Sequence, residues 1–194
     1  MGEEATKPKR VVDPDSAKFK LGQIAAKAYS DAMEAKERGE LVGWCSSNFP
    51  VEIPETLGLY VVYPENQAAG IAARGGGERM CSEAEGEGYS NDICAYARIS
   101  LAYAKPEQNM PQPDFMLCCN NICNCMIKWY ENIAKELDIP MIMIDIPFNP
   151  DYEVSYAETE YIKAQFWDAI HQLEDITGRK WSEERFKEVM ESSG

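Results

Sequence analysis

Residues 114–134 read DFMLCCNNICNCMIKWYENIA, and the hydrophobic period changes halfway along this stretch. Phe115, Met116, Leu117, Cys118 and Cys119 form an unbroken apolar run, the signature of a strand covered on both faces. From Asn124 onward Ile127, Tyr130, Ile133, Ala134 and Leu137 recur at helical spacing, which predicts an amphipathic helix over 124–137. A strand that passes directly into a helix is half of a parallel crossover unit. Four thiols, Cys118, Cys119, Cys123 and Cys125, crowd the junction.

The same alternation extends in both directions. Toward the N-terminus, LGLYVVYPEN predicts a buried strand over 59–63, halted by Pro64. A first helix is predicted over 16–38 from Phe19, Ile24, Ala25, Tyr29, Ala32 and Met33, with Gly39 as its stop. Segments 67–73 and 79–85 are helical in composition and separated by RGGGE, a turn without a phosphate-loop pattern. SNDICAYARISLAYA predicts a helix opening at Ser90 or Asn91 and running to about Ala104. Toward the C-terminus, IPMIMIDIP predicts a third strand ended by Pro147. Helices are predicted over 157–177, with Gly178 as stop, and from a capping Ser182 onward.

These elements specify the α/β class, a Rossmann-like three-layer domain with a short parallel sheet and flanking helices. The expected organisation is a loose charged tail over 1–14, an α/β domain over 15–150 and a helical segment over 151–194. Ligands of such sheets bind beyond the carboxyl ends of the strands. Glu65 follows one strand and Cys123 another, so both are expected on one rim.

Composition narrows the function. A chain of 194 residues suits one domain, and its net charge of −14 disfavours a nucleic-acid surface, which is basic. The 45% of hydrophobic residues includes no run approaching a membrane span, and the first residues lack a signal-peptide core, so a soluble, cytoplasmic protein is expected. Seven cysteines, an odd number, argue for reduced thiols and for metal, iron–sulfur or redox chemistry rather than a disulfide framework.

The thiols divide by position. No second Cys hook or nearby histidine completes a zinc site around Cys119 and Cys123, and ferredoxin spacings are absent; a cluster held by scattered cysteines stays open. Cys118 and Cys119 suit the interior of a strand, and Cys81 suits helix packing. Cys123 and Cys94 stand near predicted helix starts, where partial positive charge and unpaired N–H groups favour an anionic sulfur and can bond cluster sulfides. Ser47 in GWCSSNFP and Glu65 in YPEN are the polar candidates, whereas Ser47 alone would pass for a loop serine. His171, the only histidine, belongs to a terminal amphipathic helix and suits a surface or partly packed role. Trp129 and Tyr130 read as core or flank.

Three stretches, GWCSSNFPVEIPETLGLYVVYPENQAAGIAA, GYSNDICAYAR and LCCNNICNCMIKWYENIAKELDIPMIMID, closely resemble the α subunit of the (R)-2-hydroxyacyl-CoA dehydratases. These are relatives of 2-hydroxyglutaryl-CoA and 2-hydroxyisocaproyl-CoA dehydratase and, more distantly, of benzoyl-CoA reductase. The similarity runs from about Val12 to Ser193. It implies a lyase of anaerobic amino-acid fermentation with a [4Fe-4S] cluster on three cysteine thiolates. Motif by motif, Cys94 of DICAYAR and Cys123 of NNICN correspond to two of them. The third belongs to a C-terminal half that this chain does not include. Ser47 corresponds to the family's serine beside the open iron and Glu65 to its active-site glutamate. Cys45 stands where the α-type pattern has a hydroxyl residue and other branches carry a cluster cysteine, which makes it a further possible ligand. Cys125 looks extra, turned about 200° around an ideal helix from Cys123.

The resemblance implies removal of water from a 2-hydroxyacyl-CoA through a ketyl radical, to give a 2-enoyl-CoA. The hydrogen lost lies on an unactivated β carbon, and an added electron both expels the α hydroxyl and acidifies that hydrogen. A homologous β subunit and an ATP-dependent activator as electron donor are the implied partners, with an acyl-CoA as substrate. The chain has no Walker A loop, as expected if the activator handles ATP. On this view the chain alone is not a competent dehydratase. A non-enzymatic iron–sulfur binding or assembly module, or a benzoyl-CoA reductase-like subunit, are the alternatives, and the acyl chain is not specified by any residue singled out here.

Overall fold

The computed structural model describes residues 13–105, 108, 110–151 and 153–193. Of the tail expected over 1–14, only Asp13 and Pro14 fall among them. In chain order the elements are α1 (Ala17–Glu37), β1 (Val42–Cys45), α2 (Glu52–Thr56), β2 (Tyr60–Val62), α3 (Pro64–Ala73), α4 (Gly77–Gly86), α5 (Ala95–Tyr103), β3 (Phe115–Cys119), α6 (Asn124–Leu137), β4 (Met141–Ile144), α7 (Tyr156–Thr177) and α8 (Glu183–Ser193). The sheet order is β2-β1-β3-β4 and every pairing is parallel. The α/β class and the parallel sheet agree with the sequence reading.

The central strand β1 adds to the three strands expected, because no element is predicted over 42–45. Its four residues are all buried, and it pairs on both sides, Gly43 with Val61 and with Phe115. Gly43 weakens the apolar run VGWC, yet the fold needs a residue without a side chain there. A Cβ at this position would lie inside the Phe115 ring. Asp114 then fixes where β1 begins: its Oδ2 accepts from Val42 N at 2.8 Å, and its Oδ1 pairs with Lys36 of α1 at 2.8 Å.

Strand side chains alternate between two cores. Val42, Trp44, Met116 and Cys118 pack with Ala32 and Ala35 of α1, Ala97 and Leu101 of α5, and Trp129, Tyr130 and Ile133 of α6. Cys45, Phe115, Leu117, Cys119, Ile142 and Ile144 pack with Ile53 of α2 and Ala169, Ile170 and Leu173 of α7. This is a three-layer arrangement. Both faces of β3 are covered, so all five of its residues are buried. A third, smaller core joins α3, α4 and α5 through Ala68, Met80, Ala84, Ile99 and Ala102.

Helix boundaries follow local chemistry. Ser16 caps α1, its Oγ accepting from Phe19 N, and Ser155 with Glu158 closes a capping box on α7. Gly75, at φ 83°, makes the turn expected of RGGGE. The helix expected from Ser90 or Asn91 begins later, at Ala95. Ser90 instead closes a turn on itself, its Oγ accepting from Asp92 N at 3.1 Å and its carbonyl from Ile93 N at 3.4 Å. Cys94 is thereby the N-cap of α5 rather than a residue inside it. Among the described residues no helix is long and apolar enough to cross a membrane.

Candidate functional site

In the order β2-β1-β3-β4 the strand order reverses between β1 and β3, the place where sheets of this kind bind ligands beyond the carboxyl ends of their strands. The β1 loop carries Ser46, Ser47 and Asn48, and the β3 loop carries Asn120, Asn121, Ile122 and Cys123. Asn48 ties them together. Its Nδ2 donates to the carbonyl of Cys119 at 3.4 Å and to Asn121 Oδ1, and its own Oδ1 accepts from Ser46 Oγ at 2.6 Å. Ser47 is exposed on the same turn, while Ser46 is fully buried.

Beside Cys123 an open cavity of about 530 Å³ is lined by the 120–124 segment and by Asp145, Ile146, Pro147, Phe148 and Asn149 beyond β4. A polar clamp holds its two walls. Asn120 Nδ2 donates to Asp145 Oδ1, Asn120 Oδ1 accepts from Ile146 N at 2.7 Å, and Tyr161 of α7 donates to Asp145 Oδ2 at 2.7 Å. Gln165 completes it, accepting from Asp145 N and donating to Asp145 O, each at 2.7 Å.

Cys94 and Cys123 occupy equivalent places. Each is the N-cap of its helix, Cys123 in extended backbone, neither makes a side-chain capping hydrogen bond, and both are exposed. A helix usually begins on Ser, Thr, Asp or Asn, whose oxygen satisfies an N–H of the first turn. Cysteine there leaves those N–H groups to an outside acceptor. α6 starts at the rim because it leaves the carboxyl end of β3. All seven cysteines are free.

The other cysteines are situated differently. Cys118 and Cys119 are buried in β3, and burial pushes both thiols up to about 12. Cys45, a possible ligand on sequence grounds, is fully buried at the end of β1, its thiol donating to the carbonyl of Ser46 at 3.4 Å. Burial raises its pKa well above the usual thiol value, reinforced by Glu65, Cys119 and Cys118. Cys81 is partly buried against the small core and Cys125 against the α1–α5–α6 core, where α6 turns it away from the rim.

Glu65 is the second residue of α3, one step past the Pro64 that opens the helix. Its side chain turns inward. Tyr130 of α6 donates to Glu65 Oε1 at 3.2 Å, while Oε2 is buried and has no hydrogen-bond partner. Desolvation raises the Glu65 pKa above the ordinary carboxylate value, with bonds from its own backbone and from Tyr130 opposing. Sequence reasoning placed Tyr130 in the core, where it is, without its bond to Glu65; a buried Tyr hydroxyl that needs a partner was the available signal. Asn48, Asp145, Tyr161 and Gln165 were also missed. His171 is exposed on α7, with its ring 6.0 Å from that of Trp167.

Among the described residues no three His, Cys, Asp or Glu side chains stand together as a metal-holding group. For an iron–sulfur cluster the donor set therefore fits in part: among the described residues two exposed thiols stand at helix starts, and no third donor stands with them.

A four-stranded parallel sheet covered by helices on both faces defines an α/β domain of the Rossmann-like class. Residues 46–194 match the family model described as 2-hydroxyglutaryl-CoA dehydratase, D-component, and the chain belongs to that family. It is 61% identical over 186 residues to the (R)-phenyllactyl-CoA dehydratase alpha subunit of Clostridium sporogenes, covering 94% of this chain and 46% of the relative. It is 51% identical over 181 residues to the (R)-2-hydroxyisocaproyl-CoA dehydratase alpha subunit of Clostridioides difficile, covering 91% and 44%. A benzoyl-CoA reductase subunit of Thauera aromatica is 26% identical over 191 residues, covering 92% and 43%. The chain spans about half the length of the curated relatives it matches.

Proposed function

We propose that this chain is the N-terminal part of an iron–sulfur (R)-2-hydroxyacyl-CoA dehydratase subunit, a cytoplasmic hydro-lyase that converts a 2-hydroxyacyl-CoA into a 2-enoyl-CoA. The observation that carries the reading is the pair of exposed thiols, Cys94 and Cys123, each standing at a helix N-cap in place of the usual capping oxygen. These two hold a [4Fe-4S] cluster, with the third thiolate supplied from outside this chain. When bound, the cluster supplies single-electron chemistry to the thioester. The partners are a homologous β subunit and an ATP-dependent activator that donates the electron.

The residues of this chain have separate tasks. Cys94 and Cys123 place their sulfurs among first-turn N–H groups, which stabilise negative charge. Ser47, exposed on the β1 loop, offers a hydroxyl to the oxygen atom of water or substrate beyond the strand ends. Glu65 moves a proton to or from the leaving hydroxyl or the β carbon, a task suited to a carboxyl whose pKa is raised by burial. Cys45 stays outside the ligand set, because its side chain is fully buried at the end of β1 and bonded to the Ser46 carbonyl.

Iron and sulfide content of the anaerobically prepared protein tests the ligand assignment. Cys94→Ala and Cys123→Ala lose iron, while Cys81→Ala and Cys118→Ala retain it. Normal iron in Cys123→Ala overturns the assignment. In a full-length subunit assembled with its β partner and activator, Glu65→Gln keeps the cluster and loses most dehydration; near-normal turnover assigns the proton to another group.

A further inference from the structure

Tyr130 is one of the largest fully buried side chains of the domain. It stands two helical turns beyond Cys123 on α6, and its ring centroid lies 4.2 Å from that of Trp129. Its hydroxyl donates to Glu65 Oε1 at 3.2 Å. The two residues are 65 positions apart and come from helices that follow different strands, β2 and β3.

The two carboxyl oxygens of Glu65 are thus unlike. Oε1 has a fixed donor; Oε2 is buried and has none. A buried acceptor with no donor is costly when charged and far less so as a hydroxyl, so the proton of neutral Glu65 belongs on Oε2. The groups whose fields couple to Glu65 do not change this. Cys45 from β1, Cys118 from β3 and Tyr130 from α6 are all held in their neutral forms by burial. Among the causes of the Glu65 shift there is no neighbouring cation to draw out the charge.

We propose that Tyr130 is a positioning residue that grips Glu65 by Oε1 and so dedicates Oε2 to proton exchange. The proposal deepens the reading in which Glu65 carries a proton during dehydration. When neutral Glu65 gives up its proton the Oε2–H bond breaks, and the charge left on the carboxylate is met by the Tyr130 hydroxyl at Oε1. In the reverse sense Oε2 accepts a proton and the neutral carboxyl is restored. Tyr130 itself neither gains nor loses a proton.

The test uses the isolated chain and does not depend on turnover. The side-chain carboxyls are followed by carbon NMR across a pH titration, with the Glu65 signal assigned by its absence in Glu65→Gln. Tyr130→Phe keeps the ring and deletes the donor that favours the charged form, so Glu65 holds its proton about tenfold more tightly. Trp129→Phe disturbs the same turn of α6 without touching the bond and leaves the Glu65 midpoint where it was. Should Tyr130→Phe not fold, uniform incorporation of 3-fluorotyrosine, a stronger donor, shifts the Glu65 midpoint downward. An unchanged midpoint in folded Tyr130→Phe, or an equal shift in Trp129→Phe, overturns the proposal. Failure of Glu65→Gln to reduce dehydration refutes the role of Glu65 in catalysis and leaves the NMR result standing.

Discussion

Replacing Asp145 by Ala removes the hub of the clamp that joins the loops after β3 and β4. The carboxylate accepts from Asn120 Nδ2 and from Tyr161 Oη, the latter at 2.7 Å. A hydrogen bond to a charged acceptor contributes about 1.5–3 kcal/mol when buried, and an exposed one much less. Asn120 is half-buried, so its bond falls at the lower end of that range. Tyr161 is 47% exposed, so about 0.5 kcal/mol is the appropriate share for its bond. The sum is about 2 kcal/mol, or about 4–8 °C in the unfolding midpoint of a domain of this size. The backbone bonds of Asp145 to Gln165 survive the substitution, which limits the loss. Asp145→Asn keeps one carbonyl acceptor and costs roughly half as much. Thermal and urea unfolding measure the totals, and amide exchange at Ile146, whose N–H is bonded to Asn120 Oδ1, reports the clamp locally. If Asp145→Ala changes stability by less than about 0.5 kcal/mol while Ile146 stays protected, Asn120 is held without the carboxylate and the reasoning is wrong.

Gly43→Ala drives a methyl group into the Phe115 ring between two buried strands and is expected to cost about 1–3 kcal/mol, read from urea midpoints at unchanged slope. Asp138 ends α6 at φ 53°, so Asp138→Gly is expected to raise stability by about 0.5–1 kcal/mol in the same assay. Glu65 has a folded pKa above its ordinary 4.5, so the native state holds this proton more tightly than the unfolded chain. The resulting stabilisation is complete below about 4.5 and is lost as pH rises through the folded value. Glu65→Gln flattens that limb of the stability curve and is more stable than the parent at neutral pH; a parallel pair of curves would show that Glu65 is not desolvated.

The residues 115–137 declared both a strand and a helix because burial on two faces makes an apolar run of five and burial on one face makes a stripe at helical spacing. Local pattern of this kind is a property of consecutive residues, so the alternation of elements and the parallel sheet were readable in it. Cys94, Cys123, Ser47 and Glu65 came from motif resemblance, and position after predicted strands led to the expectation that Glu65 and Cys123 share one rim. β1 escaped because Gly43, chosen for the Phe115 ring that lies against it, breaks the apolar signal that strands are recognised by. The start of α5 escaped because Ser90 bonds its own turn more readily than it caps a helix.

Which side chains meet across distant parts of the chain is settled by packing. Asn48 meets Asn121 at a separation of 73 residues, Asn120 meets Asp145 at 25, and Glu65 meets Tyr130 at 65. The sequence by itself determined the chemistry present at each position, but a hydrogen bond has a reach of about 3 Å and depends on direction. Whether Glu65 meets water, a thiol or the Tyr130 hydroxyl is settled by how α3 and α6 sit on the sheet, and that follows from the packing of the core beneath them rather than from the residues on either side of Glu65.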